Sequence, residues 1–301
     1  MRCTSPIRWL FWLGAWGMVL PAAWGQWVPR ADGRQAMEHL ERQVALGPRV
    51  PGTDSHRRAL DYFLSVLKPL ANEVSVQRFV HRSGGQEVPM ANLIARFGDG
   101  GAPVLLCAHW DTRPRADQEK DPQRAVRPIP GANDGASGVA VLLEVARHLA
   151  QTPPPVPVWI VLFDGEDWGE TPAEMFLGSR HFAQTLPAEG RPRYGILLDM
   201  VGDADLRIPI EPHSYQAAPE LIERIWRTAE ALGVRAFVRE FGPPVLDDHL
   251  PLIAAGVPTV NLIDFDYPYW HTLEDTPERC SPESLEAVGN VVLSFLYGLS
   301  E

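Results

Sequence analysis

The chain has 301 residues, of which 45% are hydrophobic and 22% are charged, a composition typical of water-soluble globular proteins and unlike that of disordered or fibrous chains. Its 27 basic and 38 acidic residues give a formal net charge of −11. This acidity argues against nucleic acid as a partner, because binding a phosphate backbone requires a basic surface.

The first 25 residues have the pattern of a secretory signal peptide. Arg2 and Arg8 precede an apolar run over residues 9–20, and a group of small residues ending at Gly25 offers a cleavage site. The run is shorter than the ~18 residues that a membrane-spanning helix needs. We therefore predict a secreted or periplasmic protein, with no membrane contact after cleavage, whose mature chain is residues 26–301. An uncleaved membrane anchor is the alternative.

The mature chain retains two cysteines, Cys107 and Cys280. Two cysteines are too few for a disulfide framework, although one bridge is compatible with the sequence. Cys107 lies inside an apolar run, so the prediction is two separate buried thiols.

Apolar runs rich in β-branched residues alternate with segments of helical periodicity. This order predicts a three-layer α/β sandwich with helices flanking a central, mixed but mostly parallel sheet. The predicted strands are residues 73–80, 91–97, 104–109, 156–163, 194–200, 235–239 and 259–263. Apolar spacing predicts helices over 139–149 and 285–299, and Ser281 with Pro282 forms a start signal for the second. Because no repeat or linker divides the pattern, residues 26–301 are predicted to form one domain.

Acids and histidines lie where the predicted strands end, and ligands bind at this edge of an open α/β sheet. The strand over 104–108 runs into His109, with Asp111 two residues later. That spacing suits a metal-ligating histidine held in one tautomer by a carboxylate. A histidine that only forms a hydrogen bond in a turn fits the same spacing.

Further acids follow the next elements along the chain. Asp134 lies among glycines directly before an amphipathic helix, where it either caps the helix or is aimed into a cleft by the flexible backbone. Glu166 and Asp167 follow the most apolar strand, and two adjacent desolvated acids favour a nearby cation. Asp199 and His271 follow the last two core strands. Carboxylate and imidazole ligands together suit zinc.

These motifs, in their order, resemble those of the zinc-dependent M28 peptidase clan and, within it, the glutaminyl-peptide cyclotransferases (glutaminyl cyclases). The resemblance extends over nearly the whole mature chain and implies the M28 zinc-peptidase-like version of the α/β sandwich. The segments that carry it are residues 47–53, 109–112, 131–138, 164–167, 178–181, 247–251 and 270–272.

The resemblance implies one of two metal centres. Aminopeptidases of the clan bind two zinc ions, and the matching positions here are His109, Asp134, Asp167, Asp199 and His271. Cyclases of the clan bind one zinc ion. It would be held here by Asp134, Asp167 and His271, with His109 and Asp199 as hydrogen-bonding neighbours. The resemblance also implies a cis peptide bond after Asp134.

Two late motifs favour the cyclase. Asp247 and Asp248 stand before His249, and Trp270 directly precedes the last histidine ligand, as in the cyclases. The resemblance assigns Trp270 to the wall of a pocket for an N-terminal glutamine, and Trp168 and His249 are the other pocket residues that we predict. Core packing is the alternative role for Trp270.

The implied reaction converts the N-terminal glutamine of peptides or proteins into pyroglutamate with release of ammonia. Glu166 would transfer the proton, and Asp199 and Asp247 would bind the amide nitrogen, beside one zinc ion. Two alternatives are a di-zinc aminopeptidase, in which Glu166 activates a water molecule, and a non-catalytic binding module on the same fold.

Overall fold

The computed structural model describes Met1 and residues 28–187 and 190–299. The predicted signal peptide and its cleavage site lie outside these residues. Within the described part, no helix is both long enough and apolar enough to cross a bilayer.

A six-stranded mixed sheet forms the centre of the protein, in the order β1-β2-β4-β3-β5-β8. Four adjacent strands of this sheet are parallel to one another: β4, β3, β5 and β8. Strand β2 is antiparallel to both of its neighbours, β1 and β4. Two short parallel strands, β6 and β7, pair outside this sheet. The strands are β1 (Glu73–Ser83), β2 (Gln86–Phe97), β3 (Val104–His109), β4 (Val158–Phe163), β5 (Tyr194–Asp199), β6 (Ile208–Ile210), β7 (Phe237–Phe241) and β8 (Thr259–Ile263).

The helices pack on both faces of the sheet. On one face α1, α4 and α9 contact one another, and α7 packs on α9; on the other, α5 and α8 pack together. The helices are α1 (Gly33–Ala45), α2 (Asp54–Leu67), α3 (Pro122–Ala125), α4 (Gly138–Gln151), α5 (Leu177–Thr185), α6 (Pro212–Ala217), α7 (Pro219–Leu232), α8 (His249–Ala254) and α9 (Pro282–Tyr297). The predicted three-layer sandwich around a mostly parallel sheet is confirmed.

Strand β3 shows how the sheet separates two hydrophobic cores. Leu106 and Ala108 belong to the core under α4, whereas Leu105 and Cys107 face the core under α5 and α8. Successive side chains of a strand point to opposite faces, so a strand buried on both faces has a continuous apolar sequence. Cys107 and Cys280 are both buried and form no disulfide within the described residues, which confirms the prediction of two separate thiols.

Most predicted elements lie at their expected positions. Ser281 caps α9 by accepting the N–H of Ser284, with Pro282 in the first turn, and the helix ends at Tyr297, two residues before the predicted end. The strand predicted over 235–239 begins two residues later, at Phe237. The sequence prediction lacked β6, which has three residues and a central proline, a residue that removes a backbone donor from the ladder.

The parallel register places the carboxyl ends of four strands at one edge. His109 at the end of β3 is level with Phe163 at the end of β4. Asp199 at the end of β5 is level with Ile263 at the end of β8. The loops that follow these strands therefore meet above the same edge.

Candidate metal centre and active site

The loops at this edge enclose a cavity of about 270 Å³. Strand ends contribute Asp199, the loop after β4 contributes Glu166 and Asp167, and the loop after β8 contributes Trp270 and His271. Of the residues predicted from the sequence, those that line the cavity are Asp134, Glu166, Asp167, Asp199, Asp247, Trp270 and His271.

Two groups of buried donor atoms meet at Asp134. Its Oδ1 lies 3.2 Å from Nε2 of His109, which is 3.1 Å from Oδ1 of Asp199. Its Oδ2 lies 3.5 Å from Nε2 of His271, which is 3.3 Å from Oδ1 of Asp167. The fold thus brings all five residues of the predicted dinuclear set together, in two groups of three that share one carboxylate.

The second group has the donors and spacing of a zinc site. A tetrahedral zinc ion with ligand bonds of ~2.0–2.1 Å holds its ligand atoms roughly 3.3 Å apart, close to the distances that His271 makes with Asp167 and Asp134. Oδ2 of Asp134 and Oδ2 of Asp167 are buried without a hydrogen-bond partner. Buried carboxylate oxygens normally have a donor or a cation, so these residues fit a bound divalent metal.

Electrostatics at His271 also favour a cation. Burial lowers the pKa of His271, but Asp167 and Asp117 outweigh burial and raise it to about 10. The same negative field that stabilises a proton on this imidazole attracts a metal ion to it.

Glu166 lies at the cavity wall with a side chain suited to proton transfer. It is 7% exposed, and burial together with the charge of Asp167 raises its pKa well above the ordinary value. A carboxyl group whose pKa is raised toward neutrality can both accept and return a proton.

Asp111 lies farther from His109 than a hydrogen bond requires. Its Oδ1 is 3.7 Å from Nδ1 of His109, and Nδ1 has no hydrogen-bond partner in the described part of the chain. Instead, the two oxygens of Asp111 accept the backbone N–H groups of Glu166 (3.1 Å) and Asp167 (3.2 Å). Since β3 and β4 end side by side, these amides come within reach of Asp111, which therefore fixes the loop that carries Glu166 and Asp167.

The segment 247–249 divides between the cavity and the core. Asp247 lines the cavity, and its Oδ2 accepts the side-chain amide of Asn261 at 2.6 Å. His249, which we predicted in the pocket, does not line it. This histidine is fully buried and its Nε2 lies 3.2 Å from Glu211, because it begins α8 and points beneath the loop toward the N-terminus of α6.

The two predicted pocket tryptophans differ in the same way. Trp270 lines the cavity and stacks on His271, with ring centroids 3.9 Å apart, which agrees with a pocket role better than with core packing. Trp168 is partly buried but is not among the side chains that line the cavity. Asp167 points into the site toward Arg113 and His271, and the chain carries the next side chain away from it.

The remaining walls of the cavity are apolar and were not predicted. They carry no motif, because they come from loops that have no periodicity. These residues are Pro172, Met175, Phe176, Pro244, Val245, Leu246 and Phe265.

Backbone strain is concentrated at the site. Among the described residues, the non-glycine residues with positive φ are Phe176 (57°), Met200 (47°) and His271 (55°). Phe176 and His271 line the cavity, and Met200 directly follows Asp199. Each such conformation costs about 1–3 kcal/mol and persists only where the surroundings fix it.

The peptide bond after Asp134 is trans, as are all peptide bonds of the described residues, so the expected cis bond is absent. Gly135 makes the turn instead, with φ of 95°. A Cβ atom there would lie 2.5 Å from the carbonyl oxygen of Asp111, so glycine is required for both conformation and space. Asp275 holds this turn by accepting the N–H groups of Asn133 (2.8 Å) and Asp134 (3.2 Å).

Two further charged residues missed by sequence reasoning contact the second metal group. Asp117 lies 3.0 Å from Nδ1 of His271. Arg113 donates to Asp167 at 2.8 Å and to Asp117 at 2.7 Å. Both belong to the loop after β3, in a segment without a recognised motif.

Comparison with known proteins shows what the chain is similar to. The model of peptidase family M28 matches residues 92–296. The solved structure of a Zn-dependent exopeptidase from Parabacteroides distasonis is 35% identical, with a TM-score of 0.88 over 91% of this chain and 100% of that one. Glutaminyl cyclase from Tannerella forsythia is 36% identical, with a TM-score of 0.87 over 90% of this chain and 100% of the other. A glutaminyl-peptide cyclotransferase-like protein of Mus musculus is 26% identical over 82% of this chain and 71% of its own length.

Proposed function

The chain belongs to peptidase family M28, and we propose that it is a zinc-dependent glutaminyl-peptide cyclotransferase, which converts an N-terminal glutamine into pyroglutamate and releases ammonia. The resemblance to this family and to its glutaminyl cyclases is confirmed by the family match and by the similarity to cyclase structures. The zinc ion and the release of ammonia are part of the proposal.

The observation that carries the proposal is the small cavity that Trp270 encloses beside the metal group. Its volume of about 270 Å³ is below the ~300–1,000 Å³ of pockets for drug-sized ligands, so it suits one amino-acid side chain. Its walls combine carboxylates with apolar side chains such as Phe176, Val245 and Phe265. Such a pocket favours a folded glutamine over an extended polypeptide.

Asp134, Asp167 and His271 would hold the zinc, which as a Lewis acid would polarise the γ-amide carbonyl of the substrate. The α-amine of the substrate is the nucleophile, so the protein's main task is to hold the glutamine side chain in a ring-like conformation. A bond forms between the α-amine nitrogen and the amide carbon, and the bond from that carbon to the amide nitrogen breaks. Glu166 would take the proton from the attacking amine and deliver it to the leaving nitrogen, which departs as ammonia.

Asp199 and Asp247 would bind the amide nitrogen. Both line the cavity, and Asp247 is fixed by Asn261. Burial and the charge of Asp199 raise the pKa of Asp247 well above its ordinary value. A carboxyl group with a raised pKa holds a proton more readily, so Asp247 can offer a donor as well as an acceptor to an amide group.

A di-zinc aminopeptidase is the second candidate. It is favoured by the complete first group, His109, Asp134 and Asp199, and by the similarity to the Zn-dependent exopeptidase. In that reaction Glu166 would activate a water molecule for hydrolysis. The intact set of acids and histidines argues against the third candidate, a non-catalytic binding module.

Peptide products separate the two enzymatic candidates. We expect a Gln-initiated peptide to lose the mass of ammonia and keep its length, and a matched Leu-initiated peptide to remain unchanged, because only the glutamine side chain offers an amide to the substrate's own amine. Mass spectrometry of both peptides after incubation, with metal analysis of the protein, should show cyclisation with one zinc per chain. Release of free leucine by a protein with two zinc ions would establish the aminopeptidase instead.

The proposed nucleophile, the α-amine of the substrate, determines how kcat/KM should depend on pH. Only the neutral α-amine attacks, so kcat/KM should fall as the pH drops through the pKa of the substrate amine, about 7.7–8.0 when free. Rates for a Gln-initiated peptide between pH 6 and pH 9, with bound zinc measured at each pH, test this. A flat profile with zinc retained would contradict attack by the substrate amine.

A further inference from the structure

Arg113 links a predicted metal ligand to the loop after β3. The side chain is 6% exposed. Its Nη1 donates to Oδ1 of Asp167 at 2.8 Å, and its Nε and Nη2 lie 2.7 and 2.6 Å from Oδ2 of Asp117. One guanidinium therefore fixes the positions of two carboxylates, for which its planar fork is well suited.

Asp117 completes a ring of four side chains in which each contacts the next: Arg113, Asp117, His271 and Asp167. Its other oxygen, Oδ1, lies 3.0 Å from Nδ1 of His271, and Nε2 of the same imidazole faces Asp167. An ionised carboxylate only accepts hydrogen bonds, so it holds the proton on Nδ1 and leaves the lone pair on Nε2 for a metal. The backbone adds to this link, since the N–H of Gln118 donates to the carbonyl oxygen of His271 at 3.2 Å.

The first group has weaker support. Among the described residues Nδ1 of His109 has no hydrogen-bond partner, because Asp111 is 3.7 Å away and its oxygens accept the backbone N–H groups of the next loop. Nε2 of each histidine faces an aspartate at a similar distance, Asp199 at 3.1 Å from His109 and Asp167 at 3.3 Å from His271. The two groups share Asp134 but differ in the contact that Nδ1 of each histidine makes: Asp117 lies 3.0 Å from His271, and Asp111 lies 3.7 Å from His109.

The charges of the two groups differ as well. Asp134, Asp167 and Asp117 carry three negative charges, which Arg113 and one divalent cation would balance while His271 stays neutral. Among the described residues, neither Asp134 nor Asp199 forms an ion pair with an arginine or lysine. A buried cluster is stabilised when its charges are compensated. A divalent cation alone would balance the two carboxylates of the first group, whereas the three carboxylates of the second group also need Arg113, so metal binding at Asp167 and His271 depends on this side chain.

We infer that Arg113 and Asp117 are positioning residues that direct the metal to the group of Asp134, Asp167 and His271, in preference to the group of His109, Asp134 and Asp199. This inference rests on the zinc dependence that forms part of the proposed function. It predicts one tight zinc site per chain, whose affinity depends on two residues that do not touch the metal.

The test measures zinc binding rather than catalysis. We expect wild-type protein to hold one zinc ion tightly in competition with a chelator. Asp117→Asn and Arg113→Ala should each bind zinc about 10- to 100-fold more weakly. Arg113→Lys should recover part of the affinity, because lysine retains the positive charge but lacks the planar guanidinium that bonds both carboxylates. Arg115→Ala is the matched control, since Arg115 lies on the same loop and, among the described residues, its ion pair is with the exposed Glu170 at 3.4 Å. Its zinc affinity should equal that of the wild type.

Cobalt(II) substitution gives a second readout, because its visible absorption reports the ligand geometry and should change in Asp117→Asn but not in Arg115→Ala. Thermal unfolding of the metal-free proteins shows whether each variant folds; if Arg113→Ala does not, Asp117→Asn and Arg113→Lys decide the question. Wild-type affinity in the Asp117 and Arg113 variants, or two equally tight zinc ions in the wild type, would overturn the inference. A wild type that binds one zinc ion, weakened by these substitutions, yet leaves Gln-initiated peptides unchanged would instead overturn the proposed function.

Discussion

Replacing Glu166 by glutamine should lower the cyclisation rate by about 10² to 10⁴ while the zinc content stays at one ion per chain. Glutamine keeps the size of the side chain but cannot take the proton from the attacking amine. Single-turnover rates with a Gln-initiated peptide, together with metal analysis of the same sample, measure both quantities.

Glu170→Gln is the control for this substitution. Glu170 is an acid four residues further along the same loop, but its side chain is 72% exposed, and the ion pair that it forms within the described part of the chain is with Arg115. We expect this variant to retain the wild-type rate. Loss of zinc from Glu166→Gln would show that Glu166 is a metal ligand and would move the ligand assignment by one residue.

Replacing Asp134 by asparagine should remove the bound zinc and reduce cyclisation by at least about 10² to 10³, the loss typical of deleting a single group that stabilises the developing charge. Asp134 is the one residue that both metal groups share, with Oδ1 toward His109 and Oδ2 toward His271. Asparagine has nearly the same shape, but it is neutral and turns an N–H₂ group toward one of the two groups. Metal analysis after dialysis and the rate with a Gln-initiated peptide test the prediction.

Asp199→Asn provides the comparison, because Asp199 belongs to the first group alone. We expect it to keep one zinc ion per chain and to lose rate, as a residue that binds the amide nitrogen should. The reverse result, zinc retained in Asp134→Asn and lost in Asp199→Asn, would place the metal at His109 and Asp199.

The sequence by itself determined the core strands, and the reason is local. Strands β3 and β8 lie where they were predicted, over Val104–His109 and Thr259–Ile263. Each is a short, mostly apolar segment that directly follows a proline, Pro103 or Pro258, and proline is confined to positions such as a strand start because it cannot donate to the ladder. The first segment ends at His109, and the second is followed by Asp264.

The sequence also determined which acids and histidines gather at the site. The strand ends predicted one shared edge for Glu166, Asp167, Asp199 and His271, and the family resemblance added Asp134. The structure places all five around one cavity.

Only the tertiary structure decided how neighbouring residues divide between cavity and core. Asp247 lines the cavity and His249 does not, and the same holds for Asp167 and Trp168. A motif places several residues in one loop, but the direction of each side chain depends on its partners. Glu211 lies beside His249 beneath the loop, and Arg113 holds Asp167 in the site.

The residues that contact the predicted metal ligands, Arg113 and Asp117, likewise could not be predicted from the sequence. Asp117 and His271 are 154 positions apart, and Arg113 and Asp167 are 54 apart, so no local spacing relates them. Arginine and aspartate on a loop normally face solvent. They become buried partners here because β3, β4 and β8 end at the same edge of the sheet, and this packing of distant strand ends is a property of the folded chain alone.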